Sequence, residues 1–217
     1  MIQIPNDRLL RLLQTFLTLQ PTKELPRQGF IYFGFKRGEA DSIAAHSFNV
    51  AVIAYLLARE LKNSNPALKL NLERIMALAL VHDMGEAIMG DIGYAVKLIA
   101  KQQFQDIEEA AFARLTEDLS AQEELLALLQ EYNAYQSSEA KIVLFADGLD
   151  ALMQVLSVPF TWMPAHEEYN RRTYTKLKGD AQLGNDLAEL FRRASTTLKQ
   201  RELGPKWPQG HLADDSS

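Results

Sequence analysis

Residues 75–81 read IMALALV, and the chain then runs into His82, Asp83 and Glu86 within one turn. The apolar run predicts a buried helix, starting near Asn71 and stopping at Gly90. Side chains three and four apart share a helix face, so Glu86 would stand over both His82 and Asp83. A histidine and two carboxylates at the polar end of such a helix are costly unless they bind something. A divalent metal is the simplest partner. Imidazole with carboxylate suits manganese, iron, cobalt, nickel or zinc better than calcium. Any fold of this chain must therefore hold a polar centre against its core.

The rest reads as helix after helix, and strand alternation is nowhere convincing, so the expected class is all-α. Asn6 or Asp7 can cap a first helix whose broad apolar face carries Leu9, Leu10, Leu12, Leu13, Phe16 and Leu17, and Pro21 ends it. A loop over 22–40 is too long for a plain connector and should be functional or partly structured. Asp41 or Ser42 caps a second helix to about Leu61, with Val50, Val52, Ile53, Leu56 and Leu57 as core. A short irregular segment follows Gly90, then a helix over 102–119 with Phe104, Ile107, Ala111, Phe112 and Leu115 at helical spacing. Ser120 caps the next, and Ser138-Glu139 begins an apolar helix containing Asp147 and Asp150. After Pro159 and Pro164, a polar helix (about 167–178) and a last one (186–201) follow. One all-helical unit over 1–201 and a flexible tail over 202–217 are expected.

Further polar residues interrupt these apolar helices. His46 lies just inside the second helix, where a lone histidine is usually a satisfied core or capping residue. Asp147 is a lone acid that Lys141 or an arginine could pair, and Asp150 is its rival on a similar face. Taken together, one histidine, a His-Asp pair and a later Asp match the ligand types of a metal centre. The remaining histidines, His166 and His211, read as surface residues.

These residues resemble the H…HD…D signature of the HD-domain metal-dependent phosphohydrolases. AHSF at 45–48, ALVHDMGEAIMGDI at 79–92 and QSSEAKIVLFAD at 136–147 are similar to the 5′-deoxynucleotidase branch, over about residues 6–158. The resemblance implies an HD-domain-like helical bundle with a C-terminal helical extension. It implies one divalent metal ion (Mn or Co, with Fe, Ni, Zn or Mg as alternatives) held by His46, His82, Asp83 and Asp147. Glu86 would serve in proton transfer with Asp83 beside it, Asp91 would face the substrate sugar, and Arg27 resembles a substrate-side arginine. Phe30 stands where the branch usually has a tryptophan, and would cover the base by stacking. Ala45 replaces a residue that is often acidic there, and Phe33-Gly34 replaces an Arg-Asn pair. The implied activity is release of phosphate from 5′-deoxyribonucleoside monophosphates. The alternatives are an HD-type hydrolase of a triphosphate or alarmone, and a non-enzymatic metal- or nucleotide-binding domain. No histidine lies between Asp83 and Asp147, which argues against a dinuclear centre.

Two neutral imidazoles and two carboxylates would cancel an ion's +2 charge, so an anionic substrate needs cations from elsewhere. Arg27, Lys36 and Arg37 are the candidates in the loop. The net charge of −5 and pI near 5.4 argue against polymeric nucleic acid as a partner, leaving a small nucleotide. The absence of cysteine rules out disulfides and thiol catalysis. With no recognisable signal peptide and no run of membrane-spanning length, a cytoplasmic protein with no membrane partner is expected. The resemblance also implies a homodimer.

Overall fold

The computed structural model describes residues 4–157, 163–179 and 183–200. Among them the chain is helical throughout, and its only strand-like feature is an isolated antiparallel bridge between Pro26 and Ser42. In chain order, α1 is Asn6–Leu19, α2 Gln28–Tyr32, α3 Ile43–Ser64, α4 Leu72–Val81, α5 Glu86–Met89 and α6 Tyr94–Ile99. Then follow α7 Lys101–Leu115, α8 Gln122–Ala134, α9 Ser138–Ser157, α10 Met163–Leu177 and α11 Gly184–Gln200. No helix among the described residues is long and apolar enough to cross a membrane.

The bundle is built around α9. Every residue from Ala140 to Ala146 is buried, as expected of a helix that is apolar on nearly all sides. It packs against α3 and α4 on one side and α10 and α11 on the other. Lys141 is also inside, but it does not reach Asp147. Its Nζ donates to the Leu177 carbonyl at 3.0 Å, satisfying an orphan acceptor at the end of α10. Fully buried Val50, Ala54, Ile75, Leu78, Ile142, Leu152, Leu187 and Phe191 fill the core.

Caps fix where the site-bearing helices begin. Ser42 Oγ accepts from the Ala45 amide at 3.2 Å, and Asn71 Oδ1 accepts from the Arg74 amide at 3.1 Å. Ser120 does not cap; α8 starts after Ala121 without a side-chain cap. The bridge at Pro26 holds the Arg27 amide to the Asp41 carbonyl at 3.0 Å, so the long loop enters α2 beside the start of α3.

Several expectations need correction. The central helix does not run through to Gly90. It ends at Val81, and four turn residues separate it from α5. The segment after Gly90 contains the helix α6. Val52 and Leu56, expected in the core, are 40% and 57% exposed, because α3 turns that side away from α9. Ile107 on α7 is likewise exposed. His166, expected at the surface, is buried with Nε2 3.5 Å from Ser195 Oγ, between α10 and α11. His211 and the expected tail lie outside the described residues.

Gly148 lets α10 close on α9, since a Cβ there would overlap the Thr173 side chain. Gly148→Ala should gain up to about 1 kcal/mol of helix propensity. Overpacking, at about 1–3 kcal/mol, should outweigh that gain. We expect a lower midpoint in urea unfolding, and recovery when Thr173→Ala is added.

Candidate metal centre

Four ligand-type side chains meet where α3, the end of α4 and α9 converge. His46 Nε2 lies 3.4 Å from His82 Nε2, 3.5 Å from Asp83 Oδ2 and 3.4 Å from Asp147 Oδ1. His82 Nε2 lies 3.2 Å from Asp83 Oδ2. His46, His82 and Asp83 are grouped tightly enough to share one ion; Asp147 joins through His46. Both imidazoles are buried.

Each ring is oriented by its other nitrogen. His82 Nδ1 donates to the Ala79 carbonyl at 2.8 Å, one turn back in its own helix. His46 Nδ1 donates to Asp150 Oδ2 at 2.7 Å. Both Nε2 atoms therefore face each other and the two carboxylates, as second partners arrange metal-binding histidines. Facing nitrogen lone pairs repel unless a cation or proton lies between them, so this donor set fits a divalent ion. Cis ligands at about 2.1 Å from a six-coordinate ion stand about 3 Å apart, close to the separations here.

The break in the helix at His82 shapes the centre. Beyond Val81 the amides bond three residues back: Met84 to Val81, Glu86 to Asp83 and Ala87 to Met84, each at 3.1 Å. This tighter winding replaces the regular α-helical ladder. Glu86 remains buried close to Asp83. Gly90, at φ 73°, turns the chain out of α5 in a conformation that favours glycine. Asp91 then lies across from the long loop, with its Oδ2 accepting from the Gly29 amide at 3.4 Å.

Without an ion, the centre is a charge network. Burial and the Arg27 cation oppose the His46 imidazolium, yet hydrogen bonds to Asp147 and Asp150 outweigh both and push its pKa up to about 9. Burial would raise Asp83 and Asp147, but the neighbouring imidazoles, with Arg27 for Asp147, hold both well below the usual carboxylate range. Glu86 goes the other way. Burial, then the charges of Asp83 and Asp91, hold its carboxyl well above the ordinary value. A metal must displace the His46 proton on entry.

Arg27 lies inside this network. Its guanidinium is 3.6 Å from Asp147 and 4.0 Å from Asp150, and its Nη1 is buried without a hydrogen-bond partner. Phe30 does not offer a face to a base. It is fully buried, with ring centroids 5.4 Å from Phe35 and 5.5 Å from Tyr169, and Arg27 lies over it at 5.2 Å. Its aromatic ring is drawn into the core as the platform for Arg27. Lys36 and Arg37 stay at the surface.

Sequence reasoning did not single out Tyr132, whose hydroxyl donates to Asp147 Oδ2 at 3.2 Å and whose ring meets His82 edge-on. Nor did it find Lys97, which feels Glu86 and Asp91, or Tyr169 and Arg172 from α10. No local pattern marks these residues, because they reach the centre only through helix packing.

A sequence model of the HD domain matches residues 19–183. The human 5′-deoxynucleotidase HDDC2 is 34% identical over 145 residues, covering 66% of this chain and 66% of that protein. Its counterpart in Xenopus laevis is 36% identical over 147 residues, covering 67% and 68%. The chain thus spans about two thirds of the length of these curated relatives. The crystal structure of PH0347 protein from Pyrococcus horikoshii superposes with a TM-score of 0.65 at 27% identity, covering 85% of this chain and 98% of that one.

Proposed function

This chain belongs to the HD domain family, and from that premise we propose that it is a metal-dependent phosphohydrolase of 5′-deoxyribonucleoside monophosphates. The observation that carries this reading is the convergence of His46, His82, Asp83 and Asp147 with Glu86 buried beside them, in a chain similar to curated 5′-deoxynucleotidases. A non-enzymatic metal site would have no use for a buried proton-holding acid next to its ligands.

His46, His82, Asp83 and Asp147 hold a single divalent ion, with manganese or cobalt favoured by the mixed imidazole and carboxylate set. Such an ion polarises a phosphoryl oxygen and acidifies water. The remaining steps fall to the chain's own groups. Asp150 and the Ala79 carbonyl keep the two imidazoles turned inward. Glu86 holds a proton at its buried carboxyl and passes it to the 5′ oxygen as that oxygen's bond to phosphorus breaks and water oxygen bonds to phosphorus in its place; one proton of that water returns to the Glu86 carboxylate, and the products are nucleoside and hydrogen phosphate. Arg27 steadies the Asp147 side of the centre. Asp91 accepts from the 3′-hydroxyl and crowds a 2′-hydroxyl. The cysteine-free sequence supports a reducing, cytoplasmic setting.

The chelated protein should be inactive, and manganese or cobalt should restore it better than calcium. Glu86→Gln should keep near-normal metal content by elemental analysis while turnover falls roughly 10²–10⁴-fold. Asp147→Ala should lose the metal, whereas Asp150→Ala should keep it with roughly 10–100-fold weaker affinity. Parallel loss of metal and activity in Glu86→Gln would make Glu86 a ligand instead.

A phosphate-release screen over nucleotides should show 5′-deoxyribonucleoside monophosphates as best substrates, with ribonucleotides and 3′-monophosphates poorer. Asp91→Ala should narrow the gap between deoxyribose and ribose substrates more than it lowers the best rate. Release of pyrophosphate or triphosphate from triphosphates, with monophosphates ignored, would overturn the assignment.

The chain also pairs with a second copy. An apolar groove of about 520 Å³, lined by Phe48, Val52, Tyr55, Leu56, Met76 and Leu80, opens between α3 and α4. Leu13, Phe16 and Leu17 of α1 add a further exposed apolar stripe. Exposed apolar surface of this kind supports a protein interface. Sedimentation should give a dimer that Leu56→Glu converts to a folded monomer; a monomeric wild type would exclude it.

A further inference from the structure

Helix α10 lies beyond residues 6–158, which hold the quoted motifs, though within the 19–183 that the HD domain model matches. One of its faces nevertheless turns toward the centre. Tyr169, Arg172, Thr173 and Lys176 are spaced three, four and seven apart, so they form one row. Thr173, in the middle, packs on Gly148, the residue after Asp147. Tyr169 places its hydroxyl against Gly29, whose amide holds Asp91. The row therefore spans from the Asp91 side to the Asp147 side.

Its two cations rest on aromatic rings that lead back to the centre. The Arg172 guanidinium sits 3.4 Å from the centroid of Tyr94 and 5.7 Å from that of Tyr169. Lys176 Nζ donates to the Tyr135 hydroxyl at 3.1 Å and lies 4.5 Å from that ring's centroid. Tyr135 packs edge-on against Tyr132, which binds Asp147.

Neither cation has a carboxylate within 4.0 Å among the described residues, and Arg172 Nε is buried without a hydrogen-bond partner. Partial desolvation, and after it the charges of Arg172 and Lys97, hold the Lys176 ammonium below its usual range, against the pull of Asp147. Two cations one turn apart, neither with a carboxylate within 4.0 Å among the described residues, favour an anion. Arg27 is less available for this, since it already faces Asp147 and Asp150.

We infer that Lys176, with Arg172 one turn before it, binds the phosphate dianion of the substrate. This rests on the phosphohydrolase reading above. It gives α10 a part in the site: Asp91 would face the sugar, and the basic row the phosphate, along one continuous surface. Both residues are positioning groups for the phosphate and leave the proton transfer to Glu86.

The test uses the metal-loaded full chain, with Lys176→Ala, Lys176→Arg and Arg172→Ala. Inorganic phosphate is the probe in calorimetry, and an uncharged deoxynucleoside is the control ligand. Phosphate affinity should fall about tenfold or more in Lys176→Ala and Arg172→Ala, as expected for lost charge-assisted bonds. Deoxynucleoside affinity should stay within about threefold in the same variants. Lys176→Arg should restore phosphate binding. In turnover of a deoxynucleoside monophosphate, KM should rise more than kcat falls. Unchanged phosphate affinity in Lys176→Ala would overturn the inference, as would an equal loss of deoxynucleoside affinity. Lys176 is exposed, so Lys176→Ala remains informative even if Arg172→Ala fails to fold. If the wild type bound phosphate through this pair but left monophosphates intact, the substrate reading would fail and the anion site would stand.

Discussion

The hydrogen bond between His46 Nδ1 and Asp150, 2.7 Å long and fully buried, sets the terms for the rest of the structure. It turns Nε2 of His46 toward His82, Asp83 and Asp147, and so ties α3 to α9 at the centre of the bundle. Three aspartates gathered around one imidazole would repel one another. Removing one partner from a buried ionic cluster typically costs about 3–5 kcal/mol. Arg27 is the counterweight, and the Pro26–Ser42 bridge delivers it to the right place. The long loop is therefore held by the same charges that form the centre.

The end of α4 shows how backbone geometry serves this cluster. A regular helix through Glu86 would continue to satisfy its backbone but would keep the His82, Asp83 and Glu86 side chains in fixed helical register. Tightening the chain at Val81 sets α5 off from α4 and brings Asp83 within 3.2 Å of the His82 ring. Glu86 stays buried beside it. The resulting opposition in acidity, with Asp83 pushed down and Glu86 pushed up, follows from position alone. Asp83 faces imidazoles, whereas Glu86 faces Asp83 and Asp91. Two acids three residues apart are thereby suited to different tasks.

The helical class was legible in the sequence because apolar spacing repeats along almost every segment. The meeting of His46, His82, Asp83 and Asp147 was also foreseeable, since these are ligand-type residues set into apolar helices. Periodicity could not say which apolar side of a helix meets the core. Val52 and Leu56 fit the α3 pattern as well as Val50 does, yet they face outward. Phe30 shows the converse: an aromatic in a polar loop reads as a ligand platform but becomes the buried floor beneath Arg27. Tyr132 and Lys141 were out of reach because their partners, Asp147 and the Leu177 carbonyl, are brought near only by the packing of other helices.

Charge balance connects the centre to α10. Asp41, Asp83, Asp91, Asp147 and Asp150 place five carboxylates around the site, while Glu86 holds its proton. Arg27, Lys97, Arg172 and Lys176 set four cations among them. With neutral imidazoles, a divalent ion tips this balance to the positive side. A phosphomonoester dianion offsets that excess. Its neutral nucleoside product removes none of it, so binding energy is concentrated on the phosphate. The ligands alone would give no such preference, because two carboxylates already neutralise the ion. Attraction for an anion must therefore come from cations outside the ligand set, which is what the basic row of α10 provides.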